Sequence, residues 1–282
     1  MSHDFHFGWQ RDLPDFRDMA PQADDIQQVL SKSKPLKAAA KKLPAAVDLR
    51  QWFSPIENQG NLGSCTANAG VGLLEYYERR AFGKHLDASR LFLYKVTRNL
   101  MGETGDTGAY LRDTMKALVL FGAPPEQYWK YDIPKFDQEP PAFCYAFAEN
   151  YKAIKYYRID PPGLATTAVL SAIRQQLAAG LPQMFGFTVY SSIPPSGDDK
   201  GEIPFPKKGE KVLGGHAIVA VGYDDSKTIG SDKGALLIRN SWGTGWGMGG
   251  YGWLPYKYVE AGLAVDFWAL LKAEFVNTDL FA

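Results

Sequence analysis

The stretch Asn58-Gln59-Gly60-Asn61-Leu62-Gly63-Ser64-Cys65-Thr66 is a run of small, turn-forming residues that ends in a cysteine and opens into a helical pattern. From Ala67 the apolar positions fall at Ala67, Gly70, Val71, Leu74 and Tyr77, which predicts a helix with Cys65 in its first turn. A thiol placed there meets the positive end of the helix dipole. The dipole favours the thiolate and lowers the pKa from a free value of roughly 8.5, provided a base is near to take the proton. Cys65 is therefore the candidate nucleophile, and the chain has to supply a histidine.

There are four histidines, His3, His6, His85 and His216, and of these only His216 opens a run that reads as a buried strand, residues 214–223. A nucleophile and base so far apart in sequence come from different halves of a fold and meet in space. After a second apolar stretch at 235–238 comes Asn240-Ser241-Trp242-Gly243-Thr244-Gly245-Trp246-Gly247. The amide oxygen of Asn240 suits the imidazole's other N–H, fixing tautomer and aim as the third member of a triad does, with Trp242 roofing the bond against water.

These residues resemble the papain-like cysteine peptidases over roughly 43–275, including the Leu43-Pro44-Ala45-Ala46-Val47-Asp48-Leu49-Arg50 run similar to the start of the mature enzymes. The resemblance implies that Cys65, His216 and Asn240 are catalytic and that Gln59 is the oxyanion-hole glutamine. It also implies that Gly108, in the glycine-rich loop 102–110, lies along an extended substrate, with Gly215 and Trp242 as further substrate-binding residues. The fold it implies is α+β and two-lobed: a helical left lobe at 43–150, a β-barrel-like right lobe at 151–282, and the active-site cleft between them. No cofactor and no metal are implied. Two departures are visible. The family's C-G-S-C-W motif reads Leu62-Gly63-Ser64-Cys65-Thr66 here, so the neighbouring disulfide cysteine and the tryptophan are both absent, a short form similar to bacterial members. The paired histidines that turn some relatives into exopeptidases have no counterpart, which points to an endopeptidase acting on peptides or proteins. An acyl transferase on the same scaffold and a catalytically silent binding module are the alternatives.

Bulk properties exclude other classes. At 282 residues with 13% aromatics the chain can bury one large core or two modest ones. Its formal net charge of zero argues against a nucleic-acid or anionic-membrane surface as the main partner. With Cys65 assigned to chemistry only Cys144 remains, so a structural disulfide is not expected, and Cys144 reads as a small buried hydrophobe. No signal-peptide pattern and no apolar run of 18 residues is visible, which leads to the expectation of a cytoplasmic monomer, or one exported without a visible signal.

Residues 1–42 precede the peptidase-like part. Phe5, Phe7 and Trp9 alternate with other residues ahead of Pro14, predicting an extended piece laid on a surface, and Ile26, Val29 and Leu30 predict a helix over 22–31. This extension is expected either to inhibit by crossing the groove, as a zymogen segment, or to brace the fold. His3 and His6 are too few to hold a metal. Asp87 is expected to cap a helix, residues 110–121 to form another stopped by Gly122, and strands to run over 151–159, 184–190, 216–223, 235–241 and 267–273, with Asp224 and Asp225 turning the chain after the third.

Overall fold

A computed structural model describes residues 5–31, 39, 41–83, 85–153 and 155–271. The elements follow in the order β1 (Trp9–Gln10), α1 (Asp24–Leu30), β2 (Ala46–Asp48), α2 (Cys65–Phe82), α3 (Arg90–Met101), β3 (Ala109–Tyr110), α4 (Leu111–Leu120), α5 (Ala142–Ala148), β4 (Lys155–Arg158), α6 (Thr166–Ala178), β5 (Gln183–Tyr190), β6 (Val212–Ile229), β7 (Asp232–Arg239), β8 (Tyr251–Pro255), α7 (Tyr256–Glu260) and β9 (Ala264–Leu271), with short 3-10 turns between some of them. Before residue 150, α3 and α4 pack on α2, and the strands after it, joined by β2, form the main sheet.

Helix α2 is the axis. Its sequence pattern marks one apolar face, yet every residue from Cys65 to Tyr77 is buried, because α3 and α4 pack on it from one side and β5 and β6 from the other. Its polar side chains are paired inside. Glu75 accepts from the Ala88 N–H at 2.8 Å and from the Ser54 hydroxyl, and burial pushes its carboxyl up to about 7. The Tyr76 hydroxyl donates to the Gly180 carbonyl at 2.8 Å and that of Tyr77 to Leu270 at 2.7 Å, tying the helix to the sheet side. The helix ends at Gly83, whose φ of 65° suits a residue without a Cβ.

The sheet has the order β4-β9-β5-β6-β7-β8, with β2 added along β6, and all its pairings are antiparallel. Strand β6 runs well past the expected 216–223. Asp224 and Asp225 stay inside it at a register shift between Asp224 and Thr228, and the turn falls at Gly230, whose φ is 60°. Strand β4 starts only at Lys155 because a 3-10 turn occupies Glu149–Tyr151. The last strand is Ala264–Leu271, and the part of the expected 267–273 strand beyond residue 271 lies outside the described residues. Strand β8 and helix α7 follow a glycine-rich run and were not anticipated. Helix α3 is capped by Ser89, not Asp87: the Ser89 Oγ accepts the Phe92 N–H at 3.1 Å, the third residue into the helix, and Asp87 lies too far upstream to reach it. Helix α4 ends before Gly122, whose φ is 76°.

The N-terminal segment crosses the front of the molecule. Strand β1 pairs in parallel with β3, Asp12 and Asp18 form ion pairs with Arg112, Asp18 also meets Arg158, and α1 buries Ile26 and Leu30. Replacing Glu75 with alanine strips the acceptor from Ser54 and Ala88 inside the core. Equilibrium denaturation of Glu75→Ala is expected to show a loss of about 2–4 kcal/mol, the cost of two buried donors left unpaired.

Candidate active site

Antiparallel pairing of β6 with β7 sets Val219 opposite Arg239, which brings His216, inside β6, beside Asn240, the first residue after β7. His216 Nε2 lies 2.8 Å from Asn240 Oδ1. Its Nδ1 has no hydrogen-bond partner and is the ring's open nitrogen. The rings of His216 and Trp242 stack at 4.4 Å and 19°, so the indole covers the imidazole as the sequence led us to expect.

A bridge between Asn58 and Trp242 and a bond from the Gln59 N–H to the Ser241 carbonyl, at 2.9 Å, clip the loop before α2 to the run carrying Asn240. The Ser241 hydroxyl donates to Gln59 Oε1 at 2.6 Å, which turns the amide so that Nε2 is the donor facing the cleft. Sequence reasoning did not single out Ser241, although it sits between two residues that were. Cys65 is the first residue of α2, fully buried, with the backbone N–H groups of Ala217 and Gly8 facing its sulfur. Cys65, His216, Asn240, Gln59 and Trp242 thus converge on one place.

What covers that place is the chain's own residues 5–10. Gln59 Nε2 donates to the His6 carbonyl at 3.1 Å and to the Leu62 carbonyl at 3.0 Å. Phe5 stacks on Trp242 at 4.0 Å, and Phe7 sets its edge against both Trp242 and His216. The Gly8 carbonyl accepts the Ala109 N–H at 2.8 Å. Gly108 and Gly215 both line this segment. A Cβ on Gly108, whose φ is 74°, would lie 2.2 Å from the Gly8 carbonyl oxygen, and one on Gly215 would lie 2.7 Å from that of Trp9. The Trp9 indole fills a pocket and donates from Nε1 to Asp266 Oδ2 at 3.2 Å.

Burial under this cover reverses the ionisation expected from the helix dipole. It pushes the Cys65 thiol up to about 11 and the His216 imidazole down to about 4, the bond to Asn240 opposing the latter. In the covered form both groups are neutral near pH 7. Cys144 is buried and free, its sulfur 3.7 Å from the Tyr128 carbonyl. The expectation for His3 lies outside the described residues, and no cluster of three or more metal-ligating side chains occurs among the described ones.

Residues 43–267 match the family model described as papain family cysteine protease. An uncharacterised peptidase C1-like protein of Acanthamoeba polyphaga mimivirus is 35% identical, over 94% of this chain and 86% of its own length. Cathepsin K of Gallus gallus is 31% identical over 74% of this chain, which spans 58% of that relative's length. The solved structure of xylellain, a cysteine protease from Xylella fastidiosa, superposes with a TM-score of 0.77 at 32% identity, over 96% of this chain and 97% of its own.

A thiol near pKa 11 is ionised in only about one molecule in ten thousand at pH 7. Mass mapping of iodoacetamide adducts at pH 7 is therefore expected to show Cys65 of the intact folded chain reacting at least about tenfold more slowly than in the denatured chain, with the rate rising steeply with pH.

Proposed function

The chain belongs to the papain family of cysteine proteases, and from that premise we propose that it is an endopeptidase working through Cys65, His216, Asn240 and Gln59, held shut by its own residues 5–10. The observation that supports this is the His6 carbonyl on the Gln59 amide while Gly8 lies over the Cys65 sulfur: a peptide backbone already runs through the place where a substrate's would. The segment escapes cleavage because the thiol and imidazole beneath it are neutral.

Once the segment lifts, water and substrate replace it and the desolvation that kept the pair neutral is relieved. The Cys65 proton passes to His216 Nδ1, the nitrogen left open because Nε2 is engaged by Asn240. The thiolate adds to the substrate carbonyl, whose oxygen takes the His6 oxygen's position on Gln59 Nε2 and also meets the Cys65 backbone N–H. Each such donor contributes about 3–4 kcal/mol in comparable sites. The imidazolium protonates the leaving amine, and water activated by the same ring resolves the acyl-enzyme. Gly108 and Gly215 leave room for the substrate backbone, and Trp242 keeps water from the His216–Asn240 bond.

Trp9 is the segment's anchor, and truncating a buried tryptophan costs about 3–5 kcal/mol. Full-length Trp9→Ala is expected to hydrolyse a small fluorogenic peptide at least about tenfold faster than the intact chain. Unchanged turnover with a lower melting temperature would assign the segment to bracing instead. In the Trp9→Ala background, Cys65→Ala is expected to abolish turnover and Gln59→Ala to lower kcat by about 100- to 1000-fold.

A further inference from the structure

One carboxylate joins the loop that leads into Cys65 to the loop that carries Gly108. Asp106 accepts the Gly63 N–H with both oxygens, at 3.0 and 3.1 Å, and its Oδ1 also accepts the Tyr94 hydroxyl at 2.6 Å. The Tyr94 oxygen in turn accepts the Gly108 N–H at 3.0 Å. A Cβ on Gly63 would lie 2.9 Å from Asp106 Oδ1 and would push the carboxylate away. No disulfide does this tying, because Cys65 and Cys144 are both free and Leu62 stands where the family resemblance places a disulfide cysteine.

The Gly63 N–H and the Leu62 carbonyl belong to one planar peptide unit, so fixing one fixes the other. That carbonyl accepts from Gln59 Nε2 at 3.0 Å, and the same nitrogen donates to the His6 carbonyl at 3.1 Å. Asp106 therefore reaches the oxyanion donor through a single peptide plane, while Ser241 holds the amide by Oε1. The base of the Asp106 loop is itself fixed. Arg98 lies over the Tyr94 ring at 4.3 Å and donates to the Gly105 carbonyl at 2.5 Å and to Asp137 Oδ1 at 2.6 Å, and Asp137 Oδ2 accepts the Gly105 N–H at 3.1 Å. None of these bonds except the one to His6 uses residues 5–10, so the arrangement belongs to the enzyme body.

We propose that Asp106 is a positioning residue for the reaction: it sets the Gln59 amide through the Leu62–Gly63 peptide and, through Tyr94, the Gly108 edge beside which the substrate lies. This deepens the peptidase reading and rests on it. A carboxylate suits the task because hydrogen bonds to a charged acceptor are shorter and roughly twice as strong as neutral ones. Accepting from the N–H end of a peptide also polarises its carbonyl, which strengthens the hold on Gln59 at the other end.

The test uses full-length Trp9→Ala as parent and two fluorogenic peptides, one long enough to lie along Gly108 and one too short to reach it. Adding Asp106→Ala is expected to lower kcat about tenfold for both peptides and to raise KM for the longer one. Asp106→Asn keeps an acceptor oxygen in the place of Oδ1 and is expected to recover most of the lost kcat. A staple that merely keeps the loop folded would cost the same whatever residue stands at 59. A residue acting through Gln59 would not, so in the Trp9→Ala, Gln59→Ala background Asp106→Ala is expected to lower kcat by less than about twofold. Tyr94→Phe cuts the Gly108 branch and is expected to raise KM for the longer peptide several-fold. Backbone hydrogen exchange followed by NMR is independent of turnover: the Gly63 amide is expected to exchange at least about tenfold faster in Asp106→Ala than in the parent, and the Gly108 amide likewise in Tyr94→Phe. An equal kcat loss with and without Gln59, or an unchanged Gly63 amide, overturns the inference and leaves the peptidase reading intact. If the parent cleaves no peptide, the peptidase reading fails, and an unchanged Gly63 amide then overturns the tie between the loops as well.

Discussion

A continuous chain of buried hydrogen bonds holds the site together across the cleft. Asn240 Oδ1 meets His216 Nε2 and accepts the Ser241 N–H, and the Ser241 hydroxyl holds Gln59 Oε1. The chain starts on the sheet and ends on the loop that leads into α2. Because Oε1 is occupied, Gln59 can present only Nε2 to the cleft. Because Asn240 holds Nε2 of the ring, His216 can present only Nδ1. Both functional atoms are thus chosen by the same polar network, and the Asn58–Trp242 bridge keeps its two ends from drifting apart. Helix α2 then sets the third coordinate, the sulfur, at the end of a rod buried on all sides for its first thirteen residues.

Placing a thiol at the start of a buried helix puts two effects in competition. The helix dipole and the surrounding N–H groups stabilise a thiolate, and desolvation destabilises it. With residues 5–10 in place desolvation wins for both partners, raising the thiol and lowering the imidazole, so the two shifts act together to keep the proton on sulfur. On the proposed reading, the segment silences these atoms without any strained contact with them. Excluding water is enough, and the same side chains that exclude it, Phe5, Phe7 and Trp9, supply the apolar contacts that hold the segment down.

Much of this was legible in the amino-acid order because the informative residues sit in local patterns. Cys65 follows a turn run and opens a helix, His216 opens an apolar strand, and Asn240 heads the run that contains two tryptophans. The alternation of Phe5, Phe7 and Trp9 announced an extended segment, but not where it lands, since its anchor bond joins residues 257 positions apart. Asp266 in Ala264-Val265-Asp266-Phe267-Trp268 reads as one polar residue in a strand, and only its neighbours Trp9, Trp268 and Arg158 reveal a pocket floor. Ser241 was hidden for a similar reason, because a hydroxyl acquires meaning from the amide it orients. The Asp224-Asp225 pair misled because two adjacent carboxylates have turn chemistry, whereas pairing with β7 on one side and β2 on the other keeps the strand going.

The glycines explain why the segment occupies the cleft without imitating a substrate. At Gly8 a Cβ would lie 1.8 Å from the Gly63 carbonyl oxygen and at Gly108 one would lie 2.2 Å from the Gly8 carbonyl oxygen, so the backbones on both sides approach as closely as two chains without side chains can. A peptide with an ordinary side chain at the position over the sulfur cannot follow that path and has to ride further out or shift along the cleft. Gly8 and Gly108 are thus what let the segment's backbone lie this deep in the cleft.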